Sequence, residues 1–139
     1  MGFVKAEIEL INGYDLSMAR RDFIGQAEVK RMCVPALIVT DSYSLCINEN
    51  IQEILQFSVL DKKKVRLPNG NIEECKVVGP VELRFKNRET TCRAIVLSGD
   101  SEVQLGKIPL QDLDVIIDSK SQELIVHPER PDMAMTIIK

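Results

Sequence analysis

The chain has 139 residues and a formal net charge of −3, with 45% hydrophobic and 28% charged residues. This length is typical of one domain, and the composition is too apolar for a disordered chain. The basic residues are scattered among acidic ones, which argues against a nucleic-acid partner. No apolar run approaches the length of a membrane span, so no membrane partner is expected.

The four cysteines are widely spaced and form no C-x-x-C pair, and the single histidine, His127, lies near the C-terminus. Because this spacing is not that of a metal site, we expect no metal and no cofactor. The N-terminus lacks the long apolar centre of a signal peptide, which favours a cytoplasmic protein. In a reducing cytosol the cysteines are expected to be small buried side chains rather than disulfide partners.

In chain order, the first predicted element is a half-buried strand in which Ala6, Ile8 and Leu10 alternate with charged residues. Residues 15–22 are polar enough to form a loop or a single helical turn. The segment 33–39 is an almost unbroken apolar run, which predicts a central strand buried on both faces.

That run stops at Thr40-Asp41-Ser42, polar residues suited to a turn. Asn48 is suited to cap a short helix, which carries Ile51, Ile54 and Leu55 at helical spacing. The strand-like segments 60–67 and 72–78 flank an Asn-Gly pair, which predicts a protruding hairpin with its tip at Asn69 and Gly70.

The second half of the chain is predicted to contain mainly short strands. Residues 81–85 and 91–97 form a second hairpin, and further strands cover 103–105, 115–117 and 123–126. A bend followed by one helical turn is expected over 106–112. The run Lys62-Lys63-Lys64 is expected to be a solvated loop.

The whole chain, 1–139, is expected to be a single domain with its core in residues 3–128. Its tail, 129–139, is a candidate for pairing with another strand or with another subunit. The apolar residues of the tail that suggest this pairing are Met133, Met135, Ile137 and Ile138.

Five segments in fixed order carry a resemblance to a known family: Ala36–Ser42, Leu45–Ile51, Val77–Glu82, Ala94–Leu97 and Leu105–Leu110, with Leu113-Asp114 after the last. In this series the chain resembles the retropepsin-like aspartic proteases of bacteria and archaea, single-domain relatives of the retroviral enzymes. The resemblance implies an all-β fold, a closed barrel of about six strands with one short helix and a hairpin flap.

The family places an Asp-Thr/Ser-Gly triplet at the end of a buried strand, and two chains associate so that two aspartates face each other. Such a carboxylate pair holds one proton, so that one partner activates water while the other protonates the carbonyl. The resemblance therefore implies a homodimer acting on a peptide or protein substrate. It also implies that Asn69 and Gly70 form a flap over the substrate, with Leu105 and Gly106 close behind the catalytic loop.

The triplet departs from the family pattern and can be aligned in two ways. In the first, Asp41 is the catalytic residue, Ser42 supplies the supporting hydroxyl and Tyr43 replaces the glycine. In the second, the spacing to Leu45–Ile47 is kept, so that Val39 occupies the aspartate position, Thr40 the hydroxyl position and Asp41 the glycine position. The second alignment contains no catalytic carboxylate.

The resemblance thus leaves two functions open. The first is an aspartic endopeptidase in which Asp41 from each chain activates water, with best cleavage at mildly acidic pH. The second is a catalytically inactive homodimer of the same fold that serves as a peptide-binding or assembly module. An unrelated small β-barrel is a third reading, which requires the ordered segments to be coincidental.

Overall fold

The computed structural model describes residues 3–138. These residues are mostly β and contain nine strands: Lys5–Asn12 (β1), Arg31–Ile38 (β2), Leu45–Asn48 (β3), Ser58–Arg66 (β4), Ile72–Phe85 (β5), Arg88–Leu97 (β6), Gln104–Leu105 (β7), Val115–Asp118 (β8) and Glu123–Val126 (β9). Three α-helices accompany them: Gly13–Arg20 (α1), Glu49–Leu55 (α2) and Lys107–Leu113 (α3).

Seven strands form one mixed sheet in the order β1-β2-β7-β3-β6-β5-β4, and β5 also pairs with β1. This extra pairing returns the sheet on itself, so that the strands enclose the core as a ring without forming a clean barrel. The other two strands, β8 and β9, pair with each other as a separate antiparallel hairpin. The expectation of a mostly β fold is confirmed, whereas the regular closed barrel is not seen.

The core fills the interior of the ring. Its largest fully buried members come from the strands, α2 and α3: Ile8, Leu10, Leu45, Ile47, Leu55, Leu83, Leu105 and Leu113. Burial of apolar area at roughly 25 cal/mol per Å² makes this cluster the main source of stability. A smaller cluster lies between β1 and α1, and another lies under the β4–β5 hairpin.

The prediction of a single short helix was wrong, because α1 and α3 are full helices in addition to α2. Helix α1 begins at the buried Asn12, whose side chain accepts the Asp15 N–H and donates to Leu55 O at 2.8 Å. The two buried residues Leu16 and Ala19 fix its inner face. The local cap and this buried face stabilise a helix in a segment whose polar composition predicted a loop or a single turn.

The predicted helix after Asn48 is confirmed, since the Asn48 side chain accepts the Ile51 N–H at 2.9 Å. Ile51 and Leu55 are buried as expected, whereas Ile54 is exposed. None of the helices in residues 3–138 is long and apolar enough to cross a lipid bilayer.

Strand β2 is buried on one face only, contrary to the prediction. Val34, Ala36 and Ile38 point into the core, and Cys33 and Pro35 are exposed. The prediction of burial on both faces was wrong because a strand with apolar residues on its exposed face has the same composition as a fully buried strand. Cys33 is therefore not a core residue, although Cys46 and Cys75 are buried.

The two hairpins are confirmed with different bounds. Strand β5 runs without interruption from Ile72 to Phe85, pairs with β4, β6 and β1, and shifts register between Val78 and Val81. The segment predicted as two strands is therefore one. The lysine run lies on strand β4 rather than in a loop. The tail, residues 127–138, forms no strand pair within the described chain.

Candidate functional site

The segment from Val39 to Ser44 connects two strands that do not pair with each other. Strand β7 lies between them, parallel to β2 through Leu37↔Gln104 and antiparallel to β3 through Cys46↔Gln104. The connecting segment therefore passes around the end of β7. A strand from late in the chain thus sets the position of the turn, which contains Asp41 and Ser42.

Backbone hydrogen bonds fix the start of this turn. The Val39 N–H donates to Leu105 O at 3.0 Å, which extends the β2–β7 pairing by one residue. The Ser42 N–H donates to Val39 O at 3.2 Å and closes a four-residue turn. Thr40 and Asp41 occupy the exposed tip of the turn, whereas Ser42 is half-buried.

Gly106 packs against the backbone at the end of the turn. A Cβ atom built on Gly106 would lie 2.6 Å from Ser44 N, Ser44 O and Tyr43 C. Only hydrogen fits in this space, because real Cβ atoms do not approach other heavy atoms so closely. Leu105, the preceding residue, is fully buried. The Leu-Gly pair is therefore the support on which the turn rests.

The start of α3 holds the turn from the same side. The Lys107 N–H donates to Ser42 O at 2.7 Å, and the Ile108 N–H donates to Tyr43 O at 3.0 Å. Two backbone donors that a helix start leaves free are satisfied in this way. The Tyr43 side chain is exposed, and Lys107 Nζ lies 5.8 Å from the centre of its ring.

The other end of α3 anchors the C-terminal tail. Asp114 accepts from Arg130 Nε at 2.6 Å and Nη2 at 2.9 Å, and also from the Met135 N–H at 3.0 Å. The hydrogen bond from Arg130 is the main reason that the pKa of Asp114 lies well below its usual range. The buried Arg88 side chain donates to Arg130 O and so adds a second link between tail and core.

A largely apolar groove of about 310 Å³ lies beside the turn, between α3 and the β8–β9 hairpin. Thr40 is its only lining residue from the turn. The others are Lys107, Leu110, Gln111, Val115, Ile116, Ile117 and Leu124. The exposed tip of the turn therefore borders an apolar surface.

Asn69 and Gly70 form the tip of the β4–β5 hairpin, as predicted. Gly70 has a φ of +87°, and the Leu67 N–H donates to Asn71 O at 2.8 Å. Within residues 3–138, no hydrogen bond joins this tip to the turn. The structure thus brings together Asp41, Ser42, Leu105 and Gly106, but not the two hairpin residues.

The buried thiols do not supply an alternative nucleophile. Burial raises the pKa of Cys46 to about 11 and that of Cys92 to about 12, and it also raises the pKa of Cys75. These side chains stay protonated near neutral pH, so they are poor nucleophiles. Among the described residues, His, Cys, Asp and Glu form no group of three or more that could hold a metal ion.

Two parts of the site were missed by sequence reasoning. The first is the start of α3, where the Lys107 and Ile108 N–H groups donate to the turn, and the second is Asp114, which anchors the tail through Arg130. The spacing of Asp114 and Arg130 carries no local motif that would reveal their pairing.

No protein-family model matches the chain, and a search of curated proteins finds no match either.

Proposed function

We propose that this chain is a catalytically inactive, retropepsin-like homodimer that binds an extended peptide. The observation that carries the proposal is the hydrogen bond from the Val39 N–H to Leu105 O. It supports the alignment in which Val39, the residue at the end of the buried strand, occupies the aspartate position.

The arrangement around β7 supports the family resemblance. Strand β7, which ends at Leu105, lies between two strands that the sequence connects directly, and the next residue, Gly106, touches the connecting turn. The resemblance implied a Leu-Gly pair close behind the catalytic loop, and this contact agrees with it. A chance resemblance of the sequence segments gives no reason for that contact.

The backbone that a catalytic carboxylate requires also favours the catalytically inactive candidate. Two carboxylates that share a proton must be held within a few ångströms, which requires a fixed backbone. The backbone of Val39 is fixed by β7, whereas Asp41 lies at the exposed tip of the turn. The backbone at position 39 is therefore held more firmly than that at position 41. Its side chain, valine, has no carboxyl group.

Loss of the triplet's glycine does not strain the turn. Neither Asp41 nor Tyr43, the two residues that replace glycine in the two alignments, has a positive φ. The close approach is made instead by Gly106. An architecture of this kind persists without the chemistry, because its contacts are made by the main chain.

Peptide binding follows from the exposed surfaces beside the turn. Backbone groups of strands give affinity for an extended peptide, and apolar pockets select its side chains. The apolar groove beside Thr40 is such a pocket. The exposed tail residues Met133, Ile137 and Ile138 supply apolar surface that a second copy would cover.

The second candidate is the aspartic peptidase in which Asp41 is the acid–base residue. It is favoured by one observation: Asp41 is an exposed carboxylate on the same turn. In a homodimer this reading requires the two turn tips to meet.

Peptide hydrolysis between pH 4 and 7 separates the two candidates. We expect no cleavage by the parent and cleavage by the double variant Val39→Asp/Asp41→Gly, with Val39→Asn/Asp41→Gly as the inactive control of equal shape. Circular dichroism checks that each variant folds. Cleavage by the parent that is lost in Asp41→Asn would instead establish the peptidase.

Sedimentation of the parent tests the dimer without any variant. We expect a dimer at micromolar concentration. A parent that remains monomeric would contradict both candidates, because each requires two chains to build the site.

A further inference from the structure

We propose that the free edge of β4 binds an acidic peptide, which pairs with it as an additional strand. This inference goes beyond the proposed function, since it requires neither a second copy nor the turn. It rests on the pairing, exposure and charge of Ser58–Arg66.

Strand β4 is the last strand of the seven-stranded sheet, and β5 is its sole partner in the described chain. It is nine residues long, and eight of its side chains are exposed. The backbone N–H and C=O groups that point away from β5 therefore form a long row without a strand partner. Such a row is a template for pairing with another extended chain.

The side chains of β4 place positive charge along this row. Lys62, Lys64 and Arg66 alternate along the strand and so share one face of the hairpin. Lys76 lies directly opposite Lys62 on β5, on that same face. Glu74, opposite Lys64, is the acidic residue among these pairs. The face therefore carries four cationic side chains against one carboxylate.

This arrangement of charges does not stabilise the hairpin. Like charges directly opposite each other, as in Lys62 and Lys76, destabilise a strand pair. On this face Lys62 Nζ lies 3.7 Å from Glu74 Oε1, and both side chains are more than 60% exposed. Such a pair contributes little. Within residues 3–138, Lys64 and Arg66 form no salt bridge.

Lysine also keeps natural sheets from pairing edge to edge with copies of themselves. That role and the proposed one are compatible, because repulsion acts on a second basic edge and attraction acts on an acidic strand. The same three side chains then exclude one partner and select the other.

The spacing of the cations defines the ligand. Residues two apart on a strand lie about 6.7 Å from each other and point to the same side. A paired peptide places its alternate side chains at that same interval. The ligand that fits is an extended segment with Asp or Glu at every second position, over about five residues.

The experiment uses fluorescence anisotropy of labelled synthetic peptides with the full chain. The test peptide alternates Glu with Thr. In the first control peptide Gln replaces Glu, which removes the charge. The second is N-methylated at alternate amides on the edge that faces β4, which keeps the charge but prevents strand pairing.

We expect the Glu peptide to bind and both control peptides to bind at least about tenfold more weakly. Lys64→Glu/Arg66→Glu should weaken binding of the Glu peptide by a similar factor. The matched control Arg20→Glu/Lys120→Glu makes the same change in net charge at exposed positions on α1 and in the β8–β9 turn and should leave binding unaltered.

Three results would overturn the proposal: equal binding of the Gln peptide, equal binding of the N-methylated peptide, or no loss in Lys64→Glu/Arg66→Glu. A single-stranded oligonucleotide that binds more tightly than the Glu peptide would identify the face as a general polyanion surface and would also refute it. The cleavage and sedimentation tests above do not affect this outcome, so the two proposals can fail separately.

Discussion

The turn at residues 39–44 and the hairpin tip at residues 67–71 are both short connections between strands, but they are held in different ways. The turn is enclosed by β7 and α3, and Gly106 touches its backbone at distances that exclude any side chain. The hairpin tip projects from the sheet, and a Cβ on Gly70 would meet nothing within 4 Å.

The difference shows what each connection demands of its sequence. The shape of the turn depends on contacts with distant main chain, so the side chains of Thr40 and Asp41 at its tip are free to vary. The shape of the hairpin tip depends on its own residues, because only a residue that accepts φ +87° fits at position 70. Substitutions at the tip of the turn can therefore leave its backbone conformation unchanged, whereas those at position 70 cannot.

The largest expected effect comes from Gly106→Ala. The added methyl group would collide with the backbone of Tyr43 and Ser44, which could move away only by breaking the hydrogen bonds that the start of α3 donates to the turn. We expect the free energy of unfolding to fall by about 3 kcal/mol, the upper end for overpacking in a core. Urea denaturation measures this change.

Gly25→Ala is the matched control for that experiment. Its Cβ would meet Glu28 Oε2 at 3.7 Å, an ordinary contact, and its φ of −81° suits any residue. We expect almost no change in the free energy of unfolding. Equal losses in the two variants would show that Gly106 is not under special steric constraint.

A smaller effect is expected at the hairpin tip. Gly70→Ala places a Cβ in the left-handed region, which costs about 1 kcal/mol. Gly70→Asn should cost less, since asparagine adopts this conformation more readily. Urea denaturation of both variants tests the ranking. A loss in Gly70→Ala as large as that in Gly106→Ala would remove the distinction between the two connections.

The smallest effect concerns the ion pair between Asp114 and Arg130, which lies beside the exposed tail. The pKa of Asp114 is lowered in the folded state, so the unfolded state binds more protons on acidification. The stabilisation is therefore present above the ordinary pKa of aspartate, about 3.9, and is lost as pH falls below it. Asp114→Asn should show a weaker loss of stability between pH 5 and 3. An equal loss of stability between pH 5 and 3 in the parent and in Asp114→Asn would contradict this role of the ion pair.

Several elements were predictable because their signals are local. The Asn48 cap precedes α2, and the Asn69-Gly70 pair gives the hairpin turn, as each residue type predicts. Helix α1 has the same kind of local cap, Asn12, but it was missed because its segment is polar and buries only Leu16 and Ala19. Strand β2 was read as doubly buried, since the apolar Cys33 and Pro35 on its outer face gave no contrast.

For the site, the sequence located the turn and its Leu-Gly support but did not decide between the two alignments. The observation on which our proposal favours one of them, the pairing of Val39 with Leu105, joins residues far apart in the chain. Its partners cannot be inferred from the local pattern of Thr40, Asp41 and Ser42. The charge of the β4 edge was hidden for the same reason, because a run of lysines predicts a loop unless its strand register is known.

The insertion of β7 between β2 and β3 also has a consequence for the order of events on the ribosome. Residues 39–44 emerge long before Leu105 and Gly106 are synthesised. Until then the nascent turn has no backing strand and no helix start whose N–H groups donate to its carbonyls. Its final shape is therefore acquired late in translation, once α3 has left the exit tunnel, and a chain truncated before Leu105 would lack the turn's support.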